Sequence, residues 1–294
     1  MSEIKLQDGK VPVIIEKKNK CFYIKRIVTY AILIVWCILT ILPLYFMVIT
    51  SFTDPSTSAS LQFSLIPTEF TLNSYKYFFT FNKNVLRWLF NSLLVSGIIT
   101  LSNLLFASMA GYAFSKLRFP GKNTIFWTLM CVIMIPGQVT LIPLYILIKN
   151  IFNMADSYFA LIIPSLVSIY NIFLMKQYMT SIPTTLIDAA RIDACSEFGI
   201  YRKVILPLAK PGLAVMGIFT FVAHWNDFFW PLLVTESSTM RTIQVGLGSF
   251  RFVDSTMYGP MMAGSVIASI PMFILFFSLQ KYFLQGITIG AIKG

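Results

Sequence analysis

The sequence predicts an all-α integral membrane protein with six transmembrane helices and both termini on the cytoplasmic side. Three observations carry that expectation. Of the 294 residues, 56% are hydrophobic and only 12% charged, with a mean hydropathy of +0.74; soluble domains carry about 25% charged residues. Six windows are apolar and long enough to cross a bilayer, which takes about 20 residues of helix. Basic residues are unevenly shared among the connecting segments. Of 23 Lys and Arg, 17 fall in the N-terminal arm, the second and fourth connections and the tail, which places those segments inside.

The first window, 28–49, follows a 27-residue Lys-rich arm. It is longer than a secretory apolar region and reads as an uncleaved anchor. The second and third windows are 89–113 and 125–148. The fourth, 158–175, and the sixth, 261–279, are short and interrupted by Pro164 and Pro271; neighbouring helices can satisfy the backbone groups a proline frees. The fifth, 212–234, contains Asp227, the one Lys, Arg, Asp or Glu in any of the six windows. Small residues four apart, Ala107 with Gly111 and Gly264 with Ala268, let helix backbones approach closely in lipid. The chain therefore divides into a basic cytoplasmic arm (1–27), a six-helix membrane domain (28–284) and a short cytoplasmic tail (285–294).

Several function classes are excluded. The segments assigned to the cytoplasm carry the whole formal charge of +11. That is a topology signal with some affinity for anionic headgroups, not a nucleic-acid footprint. Cys21, Cys37, Cys131 and Cys195 form no CxxC pair, and His224 is the lone histidine, so no zinc spacing exists. No phosphate loop is present: Gly121-Lys122 is followed by Asn123, and Gly246-x-Gly248 has no third glycine in register. Clustered catalytic residues are also missing.

One connection breaks the pattern. Residues 176–211 are charged yet neither Gly- nor Ser-rich, and several times longer than the 4–6 residues typical of such links. Two short helices are expected. Pro183 suits a helix start, with Thr184 and Thr185 nearby as caps. Leu186, Ile187, Ala190 and Ala194 form an apolar strip at helical spacing. Ser196 suits the cap of a second helix holding Phe198 and Tyr201. Two destinations fit the strip, a lipid surface or a groove on a cytoplasmic partner; the small Ala189 and Ala190 favour the groove.

The run Asp188-Ala189-Ala190-x-x-Asp193-Ala194-x-Ser196-x-Phe198, with Leu206-Pro207 eight residues on, resembles the Glu-Ala-Ala loop of binding-protein-dependent ABC importer permeases. Asp188 stands where that family usually has Glu, and Ala194 where it usually has Gly. Residues 110–122, Met134-Ile-Pro136 with Ile142-Pro143-Leu-Tyr145, Trp225-Asn226-Asp227 with Trp230-Pro231-Leu232, and 286–294 are similar to maltose-type, or multiple-sugar, permeases. The resemblance implies a type I ABC importer permease bundle that moves a carbohydrate. Residues 181–207 would be its coupling loop, touching an ATPase through Asp188, Ala189, Ala190, Asp193, Ala194, Ser196, Phe198, Leu206 and Pro207. It further implies no cofactor on this chain, with ATP and magnesium on the ATPase. The implied partners are a second, different permease chain, two cytoplasmic ATPase subunits and a solute-binding protein. A sugar phosphate or polyol is the alternative cargo.

Asp227 has three candidate roles. It can be a hydrogen-bonded structural group, a translocation-path or gate residue with Trp225 and Asn226, or a proton relay, for which a second membrane carboxylate is missing. An ion-coupled secondary transporter would need several such carboxylates. Trp225 and Trp230 suit stacking on sugar rings and equally an interfacial aromatic belt. The outer run 70–79, rich in Phe and Tyr, suits either the membrane interface or a docking solute-binding protein.

Overall fold

The computed structural model describes residues 3–4, 14–15, 20–55, 70–251 and 256–291. Helix α1 (Lys20–Ser51) is followed by α2 (Asn73–Phe81), α3 (Val85–Lys116), α4 (Lys122–Ile133) and α5 (Gly137–Ile146), which runs into a π-helical turn to Ile151. Next come α6 (Tyr158–Ile162), a 3₁₀ turn to Ser165, and α7 (Ile169–Thr180). The fourth connection holds α8 (Thr185–Ile192), α9 (Glu197–Ile200), a π-helical turn and α10 (Leu206–Leu208). The chain finishes with α11 (Lys210–Trp225), α12 (Phe229–Val234), α13 (Ile243–Gly248) and α14 (Tyr258–Ala291). In the basic arm, Glu3–Ile4 pairs antiparallel with Ile14–Ile15; the rest of 1–19 lies outside the described residues.

Four stretches are long and apolar enough to span by themselves: Phe22–Ser51, Val85–Lys116, Tyr158–Thr180 and Tyr258–Lys281. Two bent pairs, Lys122–Ile133 with Gly137–Ile151 at 93° and Glu197–Leu208 with Lys210–Trp225 at 79°, pass the same test only when joined, which brings the total to as many as six. The structure adds detail to three of these segments. The third window is not one straight helix: Pro136 lacks an N–H and disfavours helical geometry in the residue before it, and α4 stops three residues earlier. The fifth window is not continuous to residue 234 either; α11 ends at Trp225 and Asn226 to Phe228 separate it from α12. The sixth helix absorbs most of the tail, since its backbone continues to Ala291.

Helix α3 is the axis of the bundle, packing on α6, α7, α11 and α13. Its buried face mixes large side chains such as Trp88, Ile99 and Tyr112 with small and polar residues, among them Asn91, Ser92, Ser96, Asn103, Ala107, Ser108 and Gly111. A Cβ added at Gly111 would sit 2.7 Å from the Cβ of Met175 and 3.0 Å from the backbone N of Lys176. The small-residue spacing thus brings α3 and α7 into backbone contact. By contrast, α1 is exposed along most of its length; it packs chiefly on α14, and at its end the Ser51 hydroxyl meets that of Tyr75 of α2 at 2.8 Å. The aromatic helix α2 turns one face to the bundle. Phe78 is fully buried near Phe250, while Phe70 and Phe79 stay exposed.

Mid-bundle, a polar knot replaces the backbone bonds lost where the fourth span breaks. Asn103 Nδ2 donates to the carbonyls of Ser165 (2.9 Å), Leu166 (3.3 Å) and Ile99 (2.9 Å). Its Oδ1 accepts from Ser168 N (2.8 Å) and Asn171 Nδ2 (2.9 Å). Asn171 Nδ2 also donates to Thr220 Oγ1 of α11 at 2.9 Å.

The outer loops are sewn together in the same manner. Asn91 Nδ2 donates to the carbonyls of Thr239 and Arg241, and Trp88 Nε1 to that of Ser238. Asp156 sits in the left-handed region (φ 57°) and its Oδ1 accepts from Glu236 N, Ser237 N and Ser237 Oγ at 3.0–3.1 Å. Partial burial pushes its carboxyl up, but the three donors outweigh that and hold it below the ordinary 3.8. A depressed native pKa contributes stability above the ordinary carboxylate value and loses it as pH falls through the native one. The melting temperature of detergent-purified protein is therefore expected to fall more steeply between about pH 5 and pH 3 in wild type than in Asp156→Asn, which keeps an acceptor that does not titrate there. Asp156→Ala, with three bonds lost and no polar group suited to the left-handed region, is expected to cost about 1–3 kcal/mol at neutral pH.

Candidate coupling site

The fourth connection folds as two short helices, and its geometry follows from local chemistry. Helix α8 closes with a Schellman motif: Cys195 N donates to Ala190 O and Ala194 N to Arg191 O, both at 3.0 Å. The residue this motif needs in left-handed conformation is Ala194, at φ 55°. Ser196, as expected, caps α9 by accepting from Gly199 N at 3.2 Å. Thr184 stands at the N-cap of α8 but its side chain makes no capping bond.

The apolar strip does not point outward as one surface. Ile187 and Ala190 are buried against the bundle with Met175, Met179, Ile182, Ile200, Tyr201 and Ile205. Ala190 therefore seats α8 on its own chain. Asp188, Ala189, Asp193, Ala194, Ser196, Phe198 and Pro207 are exposed, and Leu206 is half-buried. The outward apolar groups are Leu186, Phe198 and Ile192, the last 86% exposed. The sequence reading missed Ile192. Its signal was an isoleucine on the polar side of an amphipathic helix, about half a turn from Ile187 and Ala190.

Polar bonds fasten this projection to the inner end of α3. Tyr112 OH donates to Glu197 Oε2 at 2.8 Å, and the hydroxyls of Ser108 and Tyr201 meet at 2.7 Å. Lys116 Nζ donates to the carbonyls of Thr180 and Ile182. Arg191 bridges Glu197 (2.9 Å) and Asp188 (3.5 Å). Its partners are well exposed, so the bridge orients side chains more than it stabilises the fold. From α10 the chain turns by 79° into α11. The projection is thus packed on α3 and α7 and covalently continuous with α11.

The residues expected at the path lie at the other end of α11. Trp225 is buried, its ring stacked on Phe221 (centroids 5.7 Å) and its Nε1 donating to Ala268 O. Trp230 is buried with its Nε1 bonded to Ala160 O at 3.0 Å. Both indoles are packed between helices, each with its Nε1 satisfied by a backbone carbonyl. Asn226 and Asp227 occupy the break between α11 and α12. Asp227 Oδ1 accepts a long bond from Trp230 N (3.4 Å), and Asn226 Oδ1 accepts from Gln244 Nε2 (3.3 Å). Gln244, which sequence reasoning also missed, joins them as a partly exposed amide. Among the described residues no group of three or more His, Cys, Asp or Glu could hold a metal ion.

A bundle of lipid-facing helices that lacks a phosphate loop and carries a rigid inner projection defines the membrane subunit of a transport system. The family model for the binding-protein-dependent transport system inner membrane component matches residues 103–289, and the chain belongs to that family. It is a permease subunit of an ABC importer, with the type I fold, and not an enzyme. It is 36% identical to the arabinooligosaccharides transport system permease protein AraQ of Halalkalibacterium halodurans, over 87% of this chain and 92% of that one. It is 33% identical to AraQ of Bacillus subtilis, over 93% and 98%. The crystal structure of a bacterial ABC transporter involved in the import of the acidic polysaccharide alginate contains a chain of the same fold. That chain matches with a TM-score of 0.80 at 22% identity, covering 91% of this chain and 99% of that one.

Strain at Ala194 gives a direct check on the loop geometry. A left-handed alanine costs about 1–2 kcal/mol, and glycine there gives back part of that gain through unfolded-state entropy. Ala194→Gly is expected to raise the melting temperature modestly, and the β-branched Ala194→Val to lower it, both read by thermal unfolding in detergent.

Proposed function

We propose that this chain is the permease subunit of a bacterial plasma-membrane importer whose cargo is a carbohydrate, a mono- or oligosaccharide. ATP and magnesium belong to a separate ATPase, which docks on α8 and α9. The observation that carries this reading is the projection itself. Its exposed tips, Leu186, Ile192 and Phe198, are rimmed by Asp188 and Asp193, while its inner face is fixed to α3 through Tyr112–Glu197 and Ser108–Tyr201. Apolar tips on a short helix suit a groove on a partner, and a rigid attachment passes the partner's movement to the bundle. Two ATPase subunits closing together would rock this permease against a second, different permease chain, a hinge-and-shear change. A solute-binding protein delivers the cargo on the outer face.

Cargo chemistry is supported by the arabinooligosaccharide relatives and by Asn226, Asp227 and Gln244, whose amide and carboxylate groups suit sugar hydroxyls. We assign Asn226 and Asp227 to the path or its gate.

Two experiments test these assignments. Charge reversal at Asp188 and Asp193, combined with Phe198→Ala, is expected to reduce co-purification of the ATPase about tenfold or more, as loss of a hot-spot anchor does. Undiminished assembly and ATP-dependent uptake would overturn the docking assignment. Asp227→Asn is expected to lower sugar uptake several-fold with protein abundance unchanged; uptake equal to wild type would leave Asp227 only its bond to Trp230 N.

A further inference from the structure

Between the α3–α4 connection and α8 lies a cleft of about 840 Å³. One wall presents Lys116, Arg118 and Lys122, the other Asp188, Arg191 and Glu197. The second wall is internally paired, because Arg191 bridges both acids. The first wall is not. Among the described residues, none of its three cations meets a carboxylate within ion-pair distance, nor does Lys176 behind them. Lys116 and Lys122 are held by backbone carbonyls of Thr180, Ile182 and Leu117, and Lys176 lies 4.4 Å from the ring centre of Phe126. These contacts hold the ammonium groups in place without neutralising them. The charges of Lys176 and Arg118 bear on Lys122, and that of Lys122 on Lys116. Such a cluster calls for an anion.

Its position says which anion. Lys116 is the last residue of α3 and Lys122 the first of α4, so the cleft lies where two spans meet the inner headgroup layer. A smaller cleft of about 370 Å³ shares Arg118 and Lys122 and opens over Asn123 and Thr124. From Lys122, the positions Ile125, Leu129 and Val132 follow at helical spacing. Ile125 and Val132 are 48% and 45% exposed. A basic recess that continues into an apolar outer strip matches a phosphate carrying acyl chains, as basic pockets between spans do on cytoplasmic faces. A carboxylate of a water-soluble partner would have no use for the strip.

We propose that this cleft binds the phosphate headgroup of an anionic inner-leaflet phospholipid, held by Arg118 and Lys122 with Lys116 behind them. The inference rests on the inner-face placement; the cargo assignment stands apart from it, and because Asp188 borders both the cleft and the ATPase-docking surface, the test reads ATPase retention beside lipid retention.

The test is native mass spectrometry of the assembled transporter from nanodiscs of phosphatidylcholine doped with phosphatidylglycerol. Wild type is expected to retain phosphatidylglycerol in preference to phosphatidylcholine. Arg118→Gln/Lys122→Gln is expected to retain about thirtyfold less, the scale set by removing two charges at a headgroup surface. Phosphatidylcholine retention should not change, and a control removing two cations from the opposite face, Lys83→Gln/Arg87→Gln, should behave as wild type. Arg118 is exposed, so Arg118→Gln alone reads the same loss, in part, without threatening the fold. Equal phosphatidylglycerol retention by variant and wild type would overturn the proposal. Displacement of the lipid from wild type by millimolar inorganic phosphate would also overturn it, marking a free-phosphate site. If the double variant kept the lipid but shed its ATPase, the cleft would belong to the protein interface and the lipid assignment would fail.

Discussion

One amide holds the middle of this molecule together. In hydrocarbon an unpaired backbone group costs several kcal/mol, so a span that breaks must find new partners at once. The fourth span breaks between Ile163 and Ser168, and Asn103 supplies both sides of the repair. Its donor takes two stranded carbonyls and its acceptor takes a stranded N–H. Through Asn171 the same amide reaches Thr220, so three spans meet at one polar point. The break, the contact of α3 with α7 and the seating of α11 all depend on that point. Gly111, one side chain's width from Met175, keeps α3 and α7 close enough to share it.

The inner projection follows the same logic by different means. Helices α8 and α9 are too short to be stable alone. They persist because Ile187, Ala190, Ile200 and Ile205 are buried on the bundle and because Tyr112 and Ser108 of α3 bond Glu197 and Tyr201. What faces outward is therefore free to be apolar for a partner. The bond from Tyr112 to Glu197 matters more than the exposed bridge from Arg191, because its hydroxyl belongs to a buried side chain of the bundle.

Much of this was legible in the sequence. Hydropathy marked six spans, and the spacing from Asp188 to Pro207 marked the inner projection and its capping serine. Ala194, standing where the family usually has Gly, is the residue the structure holds in left-handed conformation. Helix ends were less legible. Residues 226–234 read as a continuation of the fifth span because Phe228, Phe229, Trp230, Leu232, Leu233 and Val234 are as apolar as α11 itself, so composition could not reveal the break at Asn226. The roles of Trp225 and Trp230 were hidden because their partners, Ala268 and Ala160, lie 43 and 70 residues away. Asn103 and Asn171 drew no notice for a related reason: an uncharged amide barely lowers the mean hydropathy of a span, and its purpose appears only when the broken backbone arrives beside it.

Helix α3 has attachments at both extremities. Near its first turns Trp88 and Asn91 grip the outer loop at 238–241, and near its last turns Ser108, Tyr112 and Lys116 grip the inner projection. Its 32 residues make a shaft of about 48 Å at the helical rise, and no proline interrupts it. A shaft of that stiffness cannot absorb a tilt along its length. Exterior cuff and interior foot are thus hung from one continuous rod, and neither can be reoriented without the other being involved.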